Sequence, residues 1–486
     1  MAHYNFSLNK KSPIYQQVYC YIKEQIILGE MPAGTKLLPE RQLSEKLHVH
    51  RNTIIRAYSE LKAEDLIVAR QGKGYFVNYG SAKEKPSGRG HGIYWPGLFN
   101  DEVYLTDSTF DAHMLQSYRE RAPISFTQSV MPPDYYSQAE LKELFSNAIK
   151  NEDLFGHTPH QGRRDLRKCL SQFLRGKGIC VNANDIVVFS EESRAVECIL
   201  ELLLQTGDSV IMEEPYSPQR YKQAERCGAR IQTCPVDQSG MMTQLLEPMV
   251  QKYHPKLIVT SGSFNEPVGS AKTLERKKIL LEISYRYNIP ILEENWASDL
   301  CYGDLCTPLI SMDQRGHTLY LHSFALTCAP GMKSVFLTGP KDFMEAICHI
   351  LVWKDIYADN LAQTLLCAYI RSGLYDRTIE AAVIQNRKKR DLVFQKLEPL
   401  RPYGVSANMP VGGICIWCAL PERINADEVS KLALKEGISL SSGDAFYYHQ
   451  ASVRPHIKIN YAFPNLAQIQ EGMDRLVDIL RRVLQG

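Results

Sequence analysis

The chain has 486 residues, room for a large α/β body and at least one smaller module. Its composition, 44% hydrophobic and 23% charged, excludes extensive disorder, and no uninterrupted apolar run approaches the length of a membrane span. The net charge is only +2, yet residues 1–90 hold 14 Lys and Arg against 8 Asp and Glu. A basic head therefore precedes a mildly acidic remainder, and such a head suits a polyanion. Thirteen cysteines form an odd set, and the start MAHYNFSLNKK lacks the apolar core of a signal peptide. Both features point to reduced thiols in a cytoplasmic protein. The CxxC of Cys415 and Cys418 lies in a β-rich stretch, where positions three apart face opposite sides, so no metal site is expected.

In chain order, residues 12–28 have helical spacing, with Ser12 as a cap, Pro13 at the first position and Gly29 as the stop. Tyr15, Val18, Tyr19, Ile22 and Ile26 form its apolar face. A second helix is predicted over 39–47, with Leu43 and Leu47 inward. A third, over 51–64, buries Ile54, Tyr58 and Leu61. Residues 67–70 and 75–77 read as strands joined by Gln71, Gly72, Lys73 and Gly74, whose glycines permit a tight hairpin. Three helices and a basic hairpin make a winged helix-turn-helix. Arg51, Asn52 and Thr53 fall in the first turn of its recognition helix, where they can offer donors to base edges and phosphates. Lys73 and the wing amides suit the flanking backbone. A three-helix protein-interaction module is the competing reading; pattern, charge and wing together favour double-stranded DNA.

Residues 79–122 read as a linker, with a polar Gly/Pro-containing part at 81–92 and an aromatic-rich part, 94–118, that has no assignment. From about residue 124 short apolar strands recur between helices, at 186–189, 209–212, 257–260, 291–293, 318–322 and 335–338. That alternation predicts a mainly parallel sheet covered on both faces. The tail from about 386 opens on a charged helix and continues with β-rich 412–420, a helix, strand-like 457–463 and a closing helix. The expected division is 1–78 head, 79–122 linker, 123–385 large domain and 386–486 small α+β subdomain.

Two resemblances follow from the words of the sequence. Residues 13–77 resemble the DNA-binding domain of the GntR regulators almost end to end. The family's Pro-Ser-Glu-Arg stands as Leu38-Pro39-Glu40-Arg41 and keeps the phosphate-contacting Arg41. Its Ser-Arg-Asn-Thr stands as His50-Arg51-Asn52-Thr53. Serine caps the helix there, and histidine is expected to cap it poorly, which leaves a base or phosphate contact open for His50. Residues 124–480 resemble fold-type I aminotransferases. HTPHQGRRDLRKC supplies Gly162, Leu166 and Arg167, NEPVG (265–269) resembles the Asn-Pro-Thr-Gly loop, and TLYLHSFALTCAPGMKSVFLT (318–338) resembles the cofactor segment. A GntR head on such a body is the arrangement of the MocR subfamily.

The aminotransferase resemblance assigns roles to positions, and most are altered here. The Schiff-base lysine of pyridoxal phosphate (PLP), counted without gaps from Ala329-Pro330-Gly331, is Leu326, which has no amine to form an imine. The phosphate arginine is Lys333, cationic but without the planar fork. The phosphate-binding turn is Ser190-Glu191-Glu192-Ser193, two carboxylates where a dianion is expected. The pyridine aspartate is Glu294, the following tyrosine is Trp296, a stacking tyrosine is displaced to Tyr216, and the substrate-carboxylate arginine is Lys458. The resemblance therefore implies a regulator with no catalytic residue and no cofactor. Its degenerate body would dimerise, sense another small ligand or only scaffold. An active PLP aminotransferase and a PLP-sensing regulator that binds it non-covalently or through Lys333 are the alternatives. One of Glu191 and Glu192 is expected to close the phosphate site against Lys333.

Overall fold

The structure is a computed structural model that describes residues 13–27, 31, 34–64, 66–70, 74–78, 124–150, 154, 156–303, 307–328, 332, 334–449 and 453–485. The chain divides into two units, Met1–Asp107 and Ser108–Gly486. The expected linker and its aromatic stretch 94–118 lie outside the described residues, as do Ser12 and Gly29.

In the first unit, α1 (Ile14–Ile27), α2 (Glu40–Leu47) and α3 (Arg51–Ala63) precede a hairpin of β1 (Ile67–Arg70) and β2 (Gly74–Val77). Helical spacing puts Val18, Ile22 and Ile26 of α1 on one face. They meet Leu43, Ile54, Ala57, Tyr58 and Leu61 in a core that Ile67 and Val77 close from the hairpin. Tyr58 Oη donates to the Leu38 carbonyl at 2.7 Å, which pins α3 beneath the approach to α2. The hairpin register pairs Arg70 with Gly74, whose φ of +95° a side chain would strain.

The second unit opens on β3 (Ile124–Ser125), α4 (Gln138–Ala148) and α5 (Arg164–Gly176). The main sheet then takes β4 (Ile186–Phe189), β5 (Ser209–Glu214), β6 (Arg230–Asp237), β7 (Gly240–Met241), β8 (Leu257–Ser261), β9 (Ile291–Asn295), β10 (Thr318–Ser323) and β11 (Val335–Thr338). Their order is β4-β11-β10-β9-β8-β5-β6-β7. Every pairing from β6 through β5, β8 and β9 to β10 is parallel; β11 runs antiparallel between β10 and β4. Residues of β4, β8, β9, β10 and β11 are buried throughout, as strands covered on both faces must be. The covering helices include α6 (Glu192–Leu203), α7 (Pro218–Arg226), α8 (Leu246–Tyr253), α9 (Leu274–Tyr287), α10 (Lys341–Trp353) and α11 (Asn360–Arg371).

The long charged helix, α12 (Leu374–Leu397), starts twelve residues before its predicted onset and runs unbroken through the expected 385/386 division. Its first half lends Leu374, Tyr375, Ile379 and Ala382 to the core under the main sheet, and its second half lends Val393 and Leu397 to the core of the small subdomain. That subdomain comprises β12 (Ser406–Ala407), β13 (Cys415–Ala419), α13 (Ala426–Lys435), β14 (Ile438–Ser439), β15 (Ser441–Ser442), β16 (His456–Asn460) and α14 (Leu466–Gln485). β12, β13, β16 and β15 form an antiparallel sheet, and β14 pairs in parallel with β3 from the start of the body. Cys415 and Cys418 are both buried. Among the described residues no group of His, Cys, Asp and Glu could hold a metal, and no helix is long and apolar enough to cross a membrane.

Candidate DNA-contact surface and cofactor site

The start of α3 is a polar, exposed edge built on a buried face. Ile54, Ala57, Tyr58 and Leu61 hold the helix down, while Arg51, Asn52 and His50 are exposed and Thr53 half-buried. His50 does cap this helix, against expectation. Its Nδ1 accepts from the Asn52 N–H at 3.2 Å, so a ring nitrogen takes the part of a serine oxygen. In the neutral ring this fixes the tautomer with the proton on Nε2. His50 thus both satisfies a backbone amide and presents an N–H outward. Arg51 Nη2 donates to Glu40 Oε2 at 3.1 Å, and Arg41 Nε to Glu45 Oε1 at 3.1 Å. Both arginines stay largely open, 61% and 82% exposed, so neither pair holds its cation strongly. Arg56, unmarked by the sequence motifs, lies 3.7 Å from the Tyr15 ring centroid and ties α3 to α1. Of the wing positions only Gly74 is described; Gln71, Gly72 and Lys73 lie outside the described residues.

In the body, β10 ends at Ser323 and the chain turns, with Thr327 and Cys328 N–H donating to the Phe324 carbonyl. Leu326 stands in that turn, 6% exposed, in one apolar cluster with Phe324, Phe336 and Tyr375. Residue 326 therefore contributes packing where the resemblance places an amine. Lys333 and the Ala329-Pro330-Gly331 turn lie outside the described residues, so the expected Lys333 pair is not among the contacts described.

Glu192, the first residue of α6, meets Arg220 from α7. Arg220 Nε also donates to Glu294 Oε1 at 2.6 Å, and its Nη1 to Gln223 Oε1 at 2.8 Å. Tyr216 Oη donates to the other Glu294 oxygen at 2.5 Å. Burial works against the guanidinium charge, but Glu294 and Glu192 outweigh it and raise the Arg220 pKa. Burial likewise pushes the Tyr216 phenol well above its ordinary value, which keeps it a donor. Both oxygens of Glu294 are thus served from within the chain. Arg220 is the cation that motif reading missed. The available signal was an arginine four residues after Tyr216 in a helix that starts beside the sheet.

The Asn265 position of the NEPVG loop is also internally engaged. Its Nδ2 donates to Glu213 Oε2 at 2.6 Å, beside Ser261 Oγ at 2.6 Å on the same oxygen. Thr260 Oγ1 at 2.5 Å and Lys272 Nζ at 2.7 Å serve Glu213 Oε1. Lys458 on β16 contacts Glu266 of the same loop. The half-buried Trp296 keeps a buried indole N–H without a hydrogen-bond partner among the described residues. Glu191 caps α6 through its backbone position, with no side-chain cap bond. The side chains at these positions do not fit a cofactor held as an imine on residue 326, and no chemical step through such a bond follows from them.

A basic winged helix-turn-helix and a mostly parallel sheet of aminotransferase type define a two-module DNA-binding regulator. The family "Bacterial regulatory proteins, gntR family" matches residues 14–77, and "Aminotransferase class I and II" matches residues 127–476. The chain is 26% identical over 470 residues to the uncharacterized HTH-type transcriptional regulator YdfD of Bacillus subtilis (strain 168), covering 96% of each. Its fold matches the kynurenine aminotransferase of Pyrococcus horikoshii, solved with PMP, at a TM-score of 0.75 and 22% identity, over 80% of this chain and 98% of that one. It also matches the α-aminoadipate aminotransferase LysN of Thermus thermophilus, complexed with N-(5'-phosphopyridoxyl)-L-leucine, at 0.73 and 20%, over 81% and 100%. The chain belongs to the GntR-type helix-turn-helix regulators with an aminotransferase class I and II domain, the arrangement of MocR-type regulators. The expectation of a chain without a cofactor is corrected by these matches. Residues 127–476 are of a family and fold that bind PLP, and altered positions within such a fold do not remove it from that class.

Proposed function

We propose that the chain regulates transcription by binding a double-stranded operator through Arg41, His50, Arg51, Asn52, Thr53 and the wing 71–74, as a homodimer in the cytoplasm. Residues 1–78 form the reading head, 79–122 the linker, and 123–385 with 386–486 a body that senses a ligand and does not transaminate. The observation that carries the last point is Leu326, a buried aliphatic side chain at the position of the amine. Footprinting on the region upstream of its own gene, with and without PLP, tests the reading. Protection of paired half-sites supports it, and no protection anywhere in that region removes the head from this role. Purified protein given PLP, an amino-acid donor and an oxo-acid acceptor is expected to form no product above the PLP-only control. Turnover would overturn the loss of catalysis.

A PLP-sensing variant of this reading has an observation in its favour, the Trp296 indole N–H that has no hydrogen-bond partner among the described residues. A footprint that changes on PLP addition selects it.

Dimerisation is supported by exposed apolar side chains crowded into ten residues. Val352 is 58%, Trp353 83%, Tyr357 40% and Leu361 44% exposed. Such a concentration marks a contact surface on a protein otherwise free to bury it. Light scattering is expected to return a dimer, weakened roughly tenfold or more in Trp353→Asp. A wild-type monomer at working concentration, with no dimer on DNA, rules the homodimer out.

A further inference from the structure

Cys169 and Cys367 meet where α5 packs on α11. Gln363, Cys367 and Arg371 are spaced four apart and so share one face of α11. Gln363 Oε1 accepts from the Arg163 N–H at 2.8 Å, and Arg371 Nη2 donates to the Asp165 carbonyl at 3.2 Å. On the same face the Cys367 thiol hydrogen-bonds the Cys169 sulfur, which lies 4.0 Å from the Cys367 carbonyl oxygen. Both cysteines are 3% exposed, but Lys168 and Arg371 beside them are exposed, so the pair lies just beneath the surface.

The surroundings make the two sulfurs unequal. Burial pushes up the thiols of Cys198, Cys234, Cys328, Cys415 and Cys418, the ordinary fate of a packed cysteine. Cys169 goes the other way. The Cys367 thiol donates to its sulfur and Arg371 adds positive charge, which together outweigh burial. The charge of Arg371 is available because the nearby Asp165 carboxylate is held by Arg163, at 3.0 and 3.1 Å. The shared hydrogen bond and burial both raise Cys367, which keeps its proton.

We propose that Cys169 and Cys367 form a reversible oxidation site, at which Cys169 reacts first with a hydroperoxide and Cys367 then closes a disulfide between α5 and α11. The Cys169 thiolate attacks one peroxide oxygen, the O–O bond breaks, and the other oxygen leaves as hydroxide or alkoxide. A sulfenic acid remains on Cys169. The Cys367 sulfur attacks that sulfur, the S–S bond forms, the S–O bond breaks, and hydroxide leaves with the Cys367 proton as water. The electron pair passes from the two sulfurs to the peroxide, and a dithiol returns it. Among reduced cytoplasmic thiols such a bond is transient, as a sensing bond must be.

The full chain is reduced, freed of reductant, given hydrogen peroxide and blocked with N-ethylmaleimide in denaturant before tryptic mass mapping. Lys168 precedes Cys169, and Arg371 closes the peptide that carries Cys367, so trypsin separates the two sulfurs. Wild type is expected to yield these two peptides joined by a disulfide that dithiothreitol removes. C367S is expected to stop at a sulfenic acid on Cys169, trapped by dimedone, and C169S to give no adduct on Cys367. Should either variant fail to fold, dimedone added to wild type at the start of oxidation reports which sulfur reacts first. A wild-type chain in which exposed Cys20 or Cys180 oxidises and no 169–367 link forms overturns the site. So does a link that forms as fast in urea as in the folded chain, or a dimedone adduct on Cys367 ahead of Cys169. No DNA enters the measurement, so its outcome is separate from that of the footprint.

Discussion

Glu213→Ala is expected to be the most damaging single change in the body, costing about 3–5 kcal/mol in urea unfolding. The carboxylate is completely buried at the end of β5 and collects Lys272, Thr260, Ser261 and Asn265. Removing it leaves the Lys272 ammonium, 8% exposed, with the Ser261 carbonyl at 2.5 Å and hydroxyl at 3.2 Å as its partners among the described residues. It also unties β5 from β8 and from the loop that carries Asn265 and Glu266. Burial pushes the Glu213 carboxyl up, but Lys272 and the hydroxyl donors outweigh it and hold the pKa below the ordinary range. A lowered folded value means stability present above the unfolded carboxylate pKa, about 4.3, and lost as pH falls through the folded one. The gap between wild type and variant should therefore close in acid. A loss below about 1 kcal/mol at neutral pH would mean that the cluster is not held as an ion pair.

Arg51→Ala should weaken operator binding by about 1–3 kcal/mol, roughly 5–150-fold, the worth of one bidentate base contact. Its present partner, Glu40, is no obstacle. The pair is exposed enough to contribute at most about 1 kcal/mol, so DNA can take the guanidinium at small cost. The variant should consequently melt close to wild type. Arg41→Ala should weaken binding on all sequences and lower the salt slope by about 1, as a phosphate contact does. His50→Ser keeps a cap for the Asn52 amide and removes only the outward N–H, so its effect on affinity isolates that donor. Fluorescence anisotropy on the footprinted site checks all three. Unchanged affinity in both arginine variants would take the start of α3 out of the interface.

Long apolar runs made most of the main sheet legible, because strands buried on both faces carry no ambiguity of side. β6 was not read as a strand. RIQTCPVD alternates irregularly between buried and exposed positions and contains Pro235, as befits a strand near a sheet edge. The onset of α12 was placed late because its first turns, LYDRTIEAAVIQ, are apolar on the buried side and only the later turns show the charge run. The β3–β14 pairing joins residues 124 and 438, a distance no local pattern reports. At the site, identities were readable and partnerships were not. Counting from one turn put leucine at 326, but the sequence does not say that Glu192 meets Arg220, that Asn265 serves Glu213, or that an imidazole can stand in for a serine cap. The cofactor expectation failed for a related reason. It inferred a property of the whole fold from substitutions at a few positions, and the fold is specified by the hundreds of others.

α12 gives the body a mechanical property of its own. Twenty-four residues make a rod about 36 Å long, clamped at one end among the side chains beneath the main sheet and at the other within the small subdomain. No flexible joint in this helix separates the two clamps. One unbroken backbone thus ties the cluster that holds Leu326 to the core of the small subdomain.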